Sequence, residues 1–579
     1  MDTEFFTMGW LDYTIFVIML ILSAVIGFYH GFKKNKNNNS AVEEYLFAGR
    51  NIPAVPVVLS NMASNVSSIG LVLIPLESYY FGSQIVYIAL GELIAAILLY
   101  YYYMPLFFEL KYTSFFEYLE KRFNRPTRLL GSAIYVLTQI FYALIIMYSA
   151  CMAISKAIPI PFHILTTLVC LVCILYTVMG GLRGVVWTDF LQASFMYTSL
   201  MIILALTVYN VGGISKVIEI ADNGGRLNIL NFDPNPFSRY SVWSISIAAI
   251  LFATYNNCTN PGIIQRYLSL PTYSKAKTVA LASGIANISM AVLEVILGIL
   301  VYTVYYKCDP LMSKEISNAD QLIPHYIMNM DNKLPGLTGL FLAGILSAAL
   351  STLSTMMNSL SGILFDDFVK PFILIEWNDR RINICLKAIV ITLGLIVTIG
   401  LFKLNTSAGG YQLFRTLTSL TGGLIVFIFA FGMFYRRADG KSAMIGAIAG
   451  VIVSAWLGIG IQTAVGSGKI QYVTKIVSIA GCPENITEML NTNVTTSGTL
   501  DYSTPVIFAD DVPYMYRISF SLLMFIGTLV SVIVGLVASI FTSNRQDLDE
   551  NLLVKQIRRK SFKNSIECVY TKCESDNKL

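Results

Sequence analysis

Asp189 stands in the segment 180–192 (GGLRGVVWTDFLQ), with Thr188 and Gln192 as polar neighbours and an almost purely apolar run, 193–209, after it. A carboxylate carried into a bilayer costs at least ~2.5 kcal/mol, so such residues line a cavity, an ion pair or an ion path. Two chemistries fit this spacing. One is cation coupling inside the membrane; the other is an interfacial acid paired with Arg183 or capping its own helix.

Hydroxyls make a second set. Ser347, Ser351, Thr352, Ser354, Thr355, Asn358, Ser359 and Ser361 stud one long apolar stretch. Ser351 and Thr352 are adjacent, and Ala348 can offer a carbonyl from the same turn. A small hard cation takes several oxygen ligands, and hydroxyls with freed carbonyls can hold Na⁺ without a full carboxylate. Serine and threonine also bond back to their own helix, so the hydroxyls alone leave both readings open.

The third set consists of interruptions. Residues 61–70 (NMASNVSSIG) and 256–262 (NNCTNPG) put Asn, Ser, Pro and Gly inside otherwise apolar stretches. Such runs unwind a helix and free backbone groups, which is tolerated only around a cavity.

The elements that must carry these sets are membrane helices. Of the 579 residues 55% are hydrophobic and 13% charged, and the mean hydropathy is +0.64. Soluble domains carry about 25% charged residues, so the chain is an all-α polytopic membrane protein. Its net charge of +5 fits basic loops on one side of the bilayer better than a nucleic-acid partner. The nine cysteines include one CxxC spacing, Cys170 and Cys173 inside an apolar run, and with the scattered His30, His163 and His325 they give no zinc or haem pattern.

Apolar windows give about thirteen spans. An extra helix, 11–32, follows a short outer N-terminus, 1–10. Five spans lie in 54–210 and five more in 241–434, then one in 442–463 and the last in 517–542. Lys and Arg fall on alternate connections, including Arg183 and the group Arg266, Lys275 and Lys277. That parity puts the N-terminus outside and the charged, polar tail 543–579 in the cytoplasm, with a composition suited to disorder. The long loop 464–516 is then external. It carries two glycosylation sequons, at Asn485 and Asn493. Cys308 and Cys482 both fall in outer loops and could pair, although spacing alone does not decide it.

The two interruptions head the two successive groups of five spans, a pattern of inverted-repeat secondary transporters with ligands near the midplane. Ordinary packing through small residues accounts for the Ala and Ser positions but not for the Asn-Pro-Gly run.

At this point a resemblance can be stated. GGLRGVVWTDFLQ resembles the signature segment of the sodium/solute symporter family. SFFEYLEKRFNRPTRLLGS (114–132), IIQRYLSLPTYSKAK (263–277), LSAALSTLSTMMNSLSGILFDDFVKP (346–371) and WLGIGIQ (456–462) follow in the family's order. The likeness runs over about 45–465 and is nearest to the monocarboxylate, multivitamin and iodide branch, where a pattern similar to IPLESYYFG (74–82) ends the second helix.

The resemblance implies a LeuT-like inverted five-helix repeat, with one helix before it and more after it. It implies a sodium site built from the carbonyls of Ala63, Val66 and Ala348 and the hydroxyls of Ser351 and Thr352. Asp189, with Thr188 and Gln192, matches the acid that supports a second sodium site or its coupling. Tyr148 and Asn358 match cavity positions, and Ser67, Gly70, Asn257 and Asn260 belong to the broken helices around the cavity.

Three departures bear on the solute. Iodide transporters carry Gln where this chain has Gly70. Sugar transporters have Gly-Ser-Gly-His where this chain reads Ser67-Ser68-Ile69-Gly70. Arg415 lies one turn into the eleventh span, where no charge is expected in relatives; it could clamp a carboxylate or snorkel to the outer interface.

The expectation is a sodium-coupled symporter of the plasma membrane importing a small organic anion, a monocarboxylate or carboxylate-bearing vitamin. Its partners are Na⁺, the solute and the bilayer. Na⁺ is the coupling ion and no other cofactor is implied. The alternatives are the same fold serving iodide, choline, a sugar or a polyol, or a sodium-dependent sensor. No nucleophile–base pair marks an enzyme.

Overall fold

The computed structural model of the chain describes residues 9–32, 41–110, 114–158, 160–330, 335–373, 377–402, 410–483, 496–499, 506–542 and 549–558. The sequons at Asn485 and Asn493 lie outside them.

Helices dominate. An N-terminal helix α1 (Trp10–Phe32) precedes a broken pair, α2 (Ala54–Asn65) and α3 (Ser68–Phe81). Val66 and Ser67 take extended backbone between the two, which meet at a bend of 55°. Next come α4 (Ser83–Leu110), α5 (Arg125–Ala157) and the 50-residue α6 (Phe162–Val211). α6 is two helices joined at Gly181, whose φ of 53° and ψ of −157° no side-chain-bearing residue adopts easily.

A second broken pair follows. α7 (Val242–Cys258) starts on a capping box between Ser241 and Ser244, and α8 (Pro261–Leu268) starts where Asn260 Oδ1 accepts from the Gly262 amide. Pro261 occupies the first turn, where its missing N–H is no loss. Then run α9 (Tyr273–Tyr305), α10 (Leu337–Ile363), α11 (Asp379–Leu401), α12 (Gly410–Phe434), α13 (Gly440–Gly466) and α14 (Leu523–Thr542).

Among the described residues ten helices are long and apolar enough to cross a membrane, eleven when the bent pair α2–α3 counts as one span. The figure is lower than the thirteen expected because α6, two helices joined at Gly181, is counted once, and because α7, 17 residues long, falls short of a span before the break to α8. α10 is buried along nearly its whole length and packs against α1, α2, α5 and α6, so the hydroxyl-rich helix is the protein's centre.

The end of the bundle that carries the long loop before α14 is tied by side chains whose pairing the sequence does not announce. Arg239 grips Glu77 with Nη2 at 2.6 Å from Oε1, and the Tyr240 hydroxyl donates to the same carboxylate at 2.6 Å. Rings of Phe81, Tyr472 and Phe520 stand 3.9, 4.4 and 5.0 Å from the Arg239 guanidinium carbon. Cys308 is bonded to Cys482, which joins the loop after α9 to the long outer loop. That loop holds two small antiparallel ladders, 470–472 with 506–508 and 477–478 with 496–497.

On the opposite side, part of the tail is ordered, contrary to its composition. Leu552, Leu553 and Val554 are buried, the Tyr118 hydroxyl donates to the Leu552 carbonyl at 3.0 Å, and Arg558 pairs with Glu109 at 3.1 Å.

Candidate functional site

The last turn of α2 meets three other elements through a continuous polar network. Asp189, on α6, and Arg266, on α8, are both 0% exposed, and Arg266 Nη2 lies 2.6 Å from Asp189 Oδ2. The Ser60 hydroxyl donates to the same oxygen at 2.8 Å. Arg266 Nη1 donates to the Ser60 carbonyl at 2.7 Å and to the Ser64 hydroxyl at 2.6 Å, and Nη2 also contacts the Thr355 hydroxyl.

This arrangement corrects two expectations. Arg266 is not a loop charge; the turn at Thr259–Asn260 sends α8 back into the protein, where all eight of its residues are buried. Arg183 is not the partner of Asp189. It pairs with Glu44 at 3.2 Å and donates to the Ala48 carbonyl.

Across from α2, the Thr352 hydroxyl donates to the Ser64 carbonyl at 3.2 Å and to the Ala348 carbonyl at 3.0 Å. The hydroxyls of Ser64 and Ser351 are 3.1 Å apart. Ala63, Val66, Ala348, Ser351 and Thr352 are all buried, and the two segments expected to supply sodium ligands pack against one another. Their oxygens are the neutral, hard donors a small cation takes. Ser64 is the residue that bridges them, and sequence reasoning passed over it.

Thr188 donates to its own helix, at the Val185 carbonyl, and Gln192 Nε2 points to Ser23 of α1 at 3.4 Å. Asp189 Oδ1 and Gln192 Oε1 are buried with no hydrogen-bond partner.

Asn65, the next residue along α2, serves a different region. Its amide donates to Asn257 Oδ1 at 2.7 Å; Asn257 and Asn287 in turn donate to Glu92 Oε2 at 2.9 and 3.0 Å. Asn65, Glu92 and Asn287 line a cavity of about 80 Å³ between the α2–α3 break and helices α4, α5, α7, α9 and α12.

Ser67, Gly70 and Arg415 are on its wall, as expected from the sequence. Arg415 does not snorkel outward. It is 7% exposed, its guanidinium carbon stands 4.7 Å from the centre of the Phe252 ring, and it makes no ion pair among the described residues.

Four expected cavity residues are elsewhere. Tyr148 packs edge-on against Phe162 with ring centres 5.8 Å apart. Asn257 stands behind the wall, holding Glu92. Asn260 is spent on capping α8 and on accepting from the Tyr135 hydroxyl at 2.8 Å. Asn358 is buried inside α10 with both amide atoms unpartnered. Conversely, Glu92 and Glu294 line the cavity and were not anticipated. Each is a lone acid in a strongly apolar stretch, the same signal that marked Asp189.

The model of the sodium:solute symporter family matches residues 45–450. The chain is 31% identical to sodium-coupled monocarboxylate transporter 1 of Homo sapiens, over 94% of this chain and 89% of that one. It is 30% identical to the sodium/iodide cotransporter of Homo sapiens, over 96% and 87%. It is 27% identical to the sodium-dependent multivitamin transporter of Oryctolagus cuniculus, over 94% and 84%. Among solved structures, a substrate-bound, outward-open Na⁺-coupled sialic acid symporter superposes with a TM-score of 0.75 at 22% identity, covering 93% of this chain and all of that one. That likeness shows the fold, a LeuT-like bundle.

Proposed function

The chain belongs to the sodium:solute symporter family, and from that premise we propose that it imports a small carboxylate-bearing solute together with Na⁺. One observation carries the solute class: Arg415 brings a buried guanidinium with no carboxylate partner among the described residues to the wall of the cavity beside the broken helices. A planar guanidinium matches a carboxylate in geometry and charge. The full-length similarity to a monocarboxylate and a multivitamin transporter supports the same class.

In this reading Na⁺ enters from outside and is held by the carbonyls of Ala63, Val66 and Ala348 and the hydroxyls of Ser351 and Thr352. Thr352 then exchanges its bonds to the Ser64 and Ala348 carbonyls for the ion. Asp189, with Thr188 and Gln192 beside it, supplies a second cation seat or its coupling, held in check by Arg266. Ordering the end of α2 preforms the solute cavity, and coupling is reciprocal: what Na⁺ adds to solute affinity, the solute adds to Na⁺ affinity. Rocking of the bundle delivers both to the low-Na⁺ side. The protein sits in the plasma membrane with its N-terminus outside, its tail inside, and Asn485 and Asn493 glycosylated.

The test is uptake and current in oocytes expressing the full chain, with lactate, pyruvate, nicotinate, biotin and pantothenate, in Na⁺ and with Na⁺ replaced by choline or Li⁺. Na⁺-dependent entry of at least one carboxylate is expected. Entry of iodide or glucose with none of the carboxylates overturns the solute class. Na⁺-evoked conformational change without any uptake points to a sensor.

A further inference from the structure

Glu294 sits at mid-span on α9, 3% exposed, on the wall of the cavity, and its Oε1 has no hydrogen-bond partner. Other acids in the membrane interior are met by donors: Asp189 by Arg266 and Ser60, Glu77 by Arg239 and Tyr240, Glu92 by Asn257 and Asn287, Asp12 by the amides of Gly9 and Gly339. A buried carboxylate left open to a cavity is costly unless something arrives to satisfy it.

The opposite wall makes room for it. A Cβ at Gly70 would come within 2.5 Å of Glu294 Oε1. The bare backbone at the α2–α3 break therefore lets this carboxylate stand in the cavity. Glu92 and Arg415 line the same cavity, and Glu92 is already met by Asn257 and Asn287. A plain carboxylate entering there pairs with Arg415 and leaves the Glu294 oxygen without a donor.

We propose that Glu294 is a specificity-determining residue that takes the cationic nitrogen of a solute whose carboxylate lies on Arg415, so that small aminocarboxylates are carried in preference to plain monocarboxylates. This rests on the carboxylate reading above and narrows it. The ammonium end satisfies Oε1, cancels the charge that the solute's own carboxylate brings and gains from the ring faces of Phe252, Tyr142 and Phe414 around the cavity. A plain carboxylate of equal length leaves the Glu294 acceptor buried and unmet, the situation in which binding sites discriminate most.

The experiment uses three matched pairs: glycine with acetate, β-alanine with propionate, and 4-aminobutanoate with butanoate. Na⁺-dependent currents are recorded in oocytes expressing the full wild-type chain, Glu294→Gln and Gly70→Ala, with surface protein quantified by biotinylation. In the wild type, half-saturation at least ~10-fold lower for the amino member of one pair is expected. Glu294→Gln should erase that ratio while Na⁺ activation persists. Gly70→Ala, whose methyl group pushes on the carboxylate, should reduce it, and this variant decides the matter if Glu294→Gln fails to reach the surface.

Wild-type preference for the plain member of all three pairs overturns the inference and leaves the carboxylate reading standing. An unchanged ratio in both variants also overturns it. Absence of Na⁺-dependent current with all six compounds, and with the carboxylates named earlier, overturns both.

Discussion

The two polar regions that meet at the end of α2 are built on opposite principles. Around Ser64, every strong charge has its opposite: Asp189 and Arg266 are in contact and wholly buried, and hydroxyls and carbonyls fill the rest. Around Asn65, charges are left uncancelled, with Glu92, Glu294 and Arg415 on one wall and no ion pair among them. The first region is balanced in charge, so a small cation has only to exchange for existing hydrogen bonds. The second is incomplete without a guest. A closed network suits an invariant ion, whereas an open one sets which solute belongs.

The comparison is broken most severely at the buried ion pair. Arg266→Gln leaves Asp189 without its partner, and removing one member of such a pair costs about 3–5 kcal/mol. Surface protein measured by biotinylation should collapse. Adding Asp189→Asn should restore much of it, because two neutral amides carry no stranded charge. Normal surface levels and Na⁺ activation in the single variant would show that the network is not closed.

Arg415→Gln acts only on the open region. Losing a charge-assisted bond of about 1.5–3 kcal/mol should raise the half-saturation for carboxylate solutes roughly 10- to 100-fold. Na⁺ half-saturation at saturating solute should stay close to wild type. Normal solute kinetics would return Arg415 to a structural role.

Thr352→Ala removes one hydroxyl from the closed region. The Na⁺ requirement should rise several-fold while the ranking of solutes is unchanged, as read from Na⁺ titrations with two different solutes. A changed ranking would mean that the two regions do not divide the work as described.

The smallest effect lies outside both. Asp320, in the connection between α9 and α10, is pushed up to about 6 by burial and by the neighbouring Glu77. An acid held above its unfolded value binds a proton in the folded state that the unfolded chain has lost. Its contribution is therefore favourable at low pH and disappears as pH rises through about 6. Purified protein should melt at a slightly higher temperature at pH 5 than at pH 7.5, and Asp320→Asn should flatten that difference.

The closed region was the more legible of the two. Asp189, the adjacent Ser351 and Thr352, and the break at 61–70 announce themselves as polar groups where apolar ones belong. What stayed hidden was the partner. IIQRYLSL runs straight into Lys275 and Lys277 in the sequence, so Arg266 reads as one more loop charge. Only the turn at Thr259–Asn260, which folds α8 inward, changes that.

The open region was harder to see because its residues come from the α2–α3 break and five further helices and depend on side-chain direction. Tyr148 and Asn358 lie at cavity-like positions along the chain, yet Tyr148 packs on Phe162 and Asn358 is buried with its amide unpartnered. Glu92 and Glu294 were within reach of the argument applied to Asp189, since each is a lone acid in an apolar run. The repeats were visible from their two breaks, and the kink at Gly181 falls between the two apolar runs, 162–180 and 187–210, that the sequence separates.

Ser64 and Asn65 share one peptide bond. Its atoms form a rigid plane that side chains on either end cannot deform. If one residue answers to the ion and the other to the solute, news of one ligand reaches the other across a single planar unit. That happens in the time side chains take to settle, picoseconds to nanoseconds. Communication between the two seats is then never the slow step. The turnover clock belongs to the movement of whole helices, on the microsecond-to-millisecond scale, and substitutions at the sites should alter how tightly the cycle is loaded far more than how fast it runs.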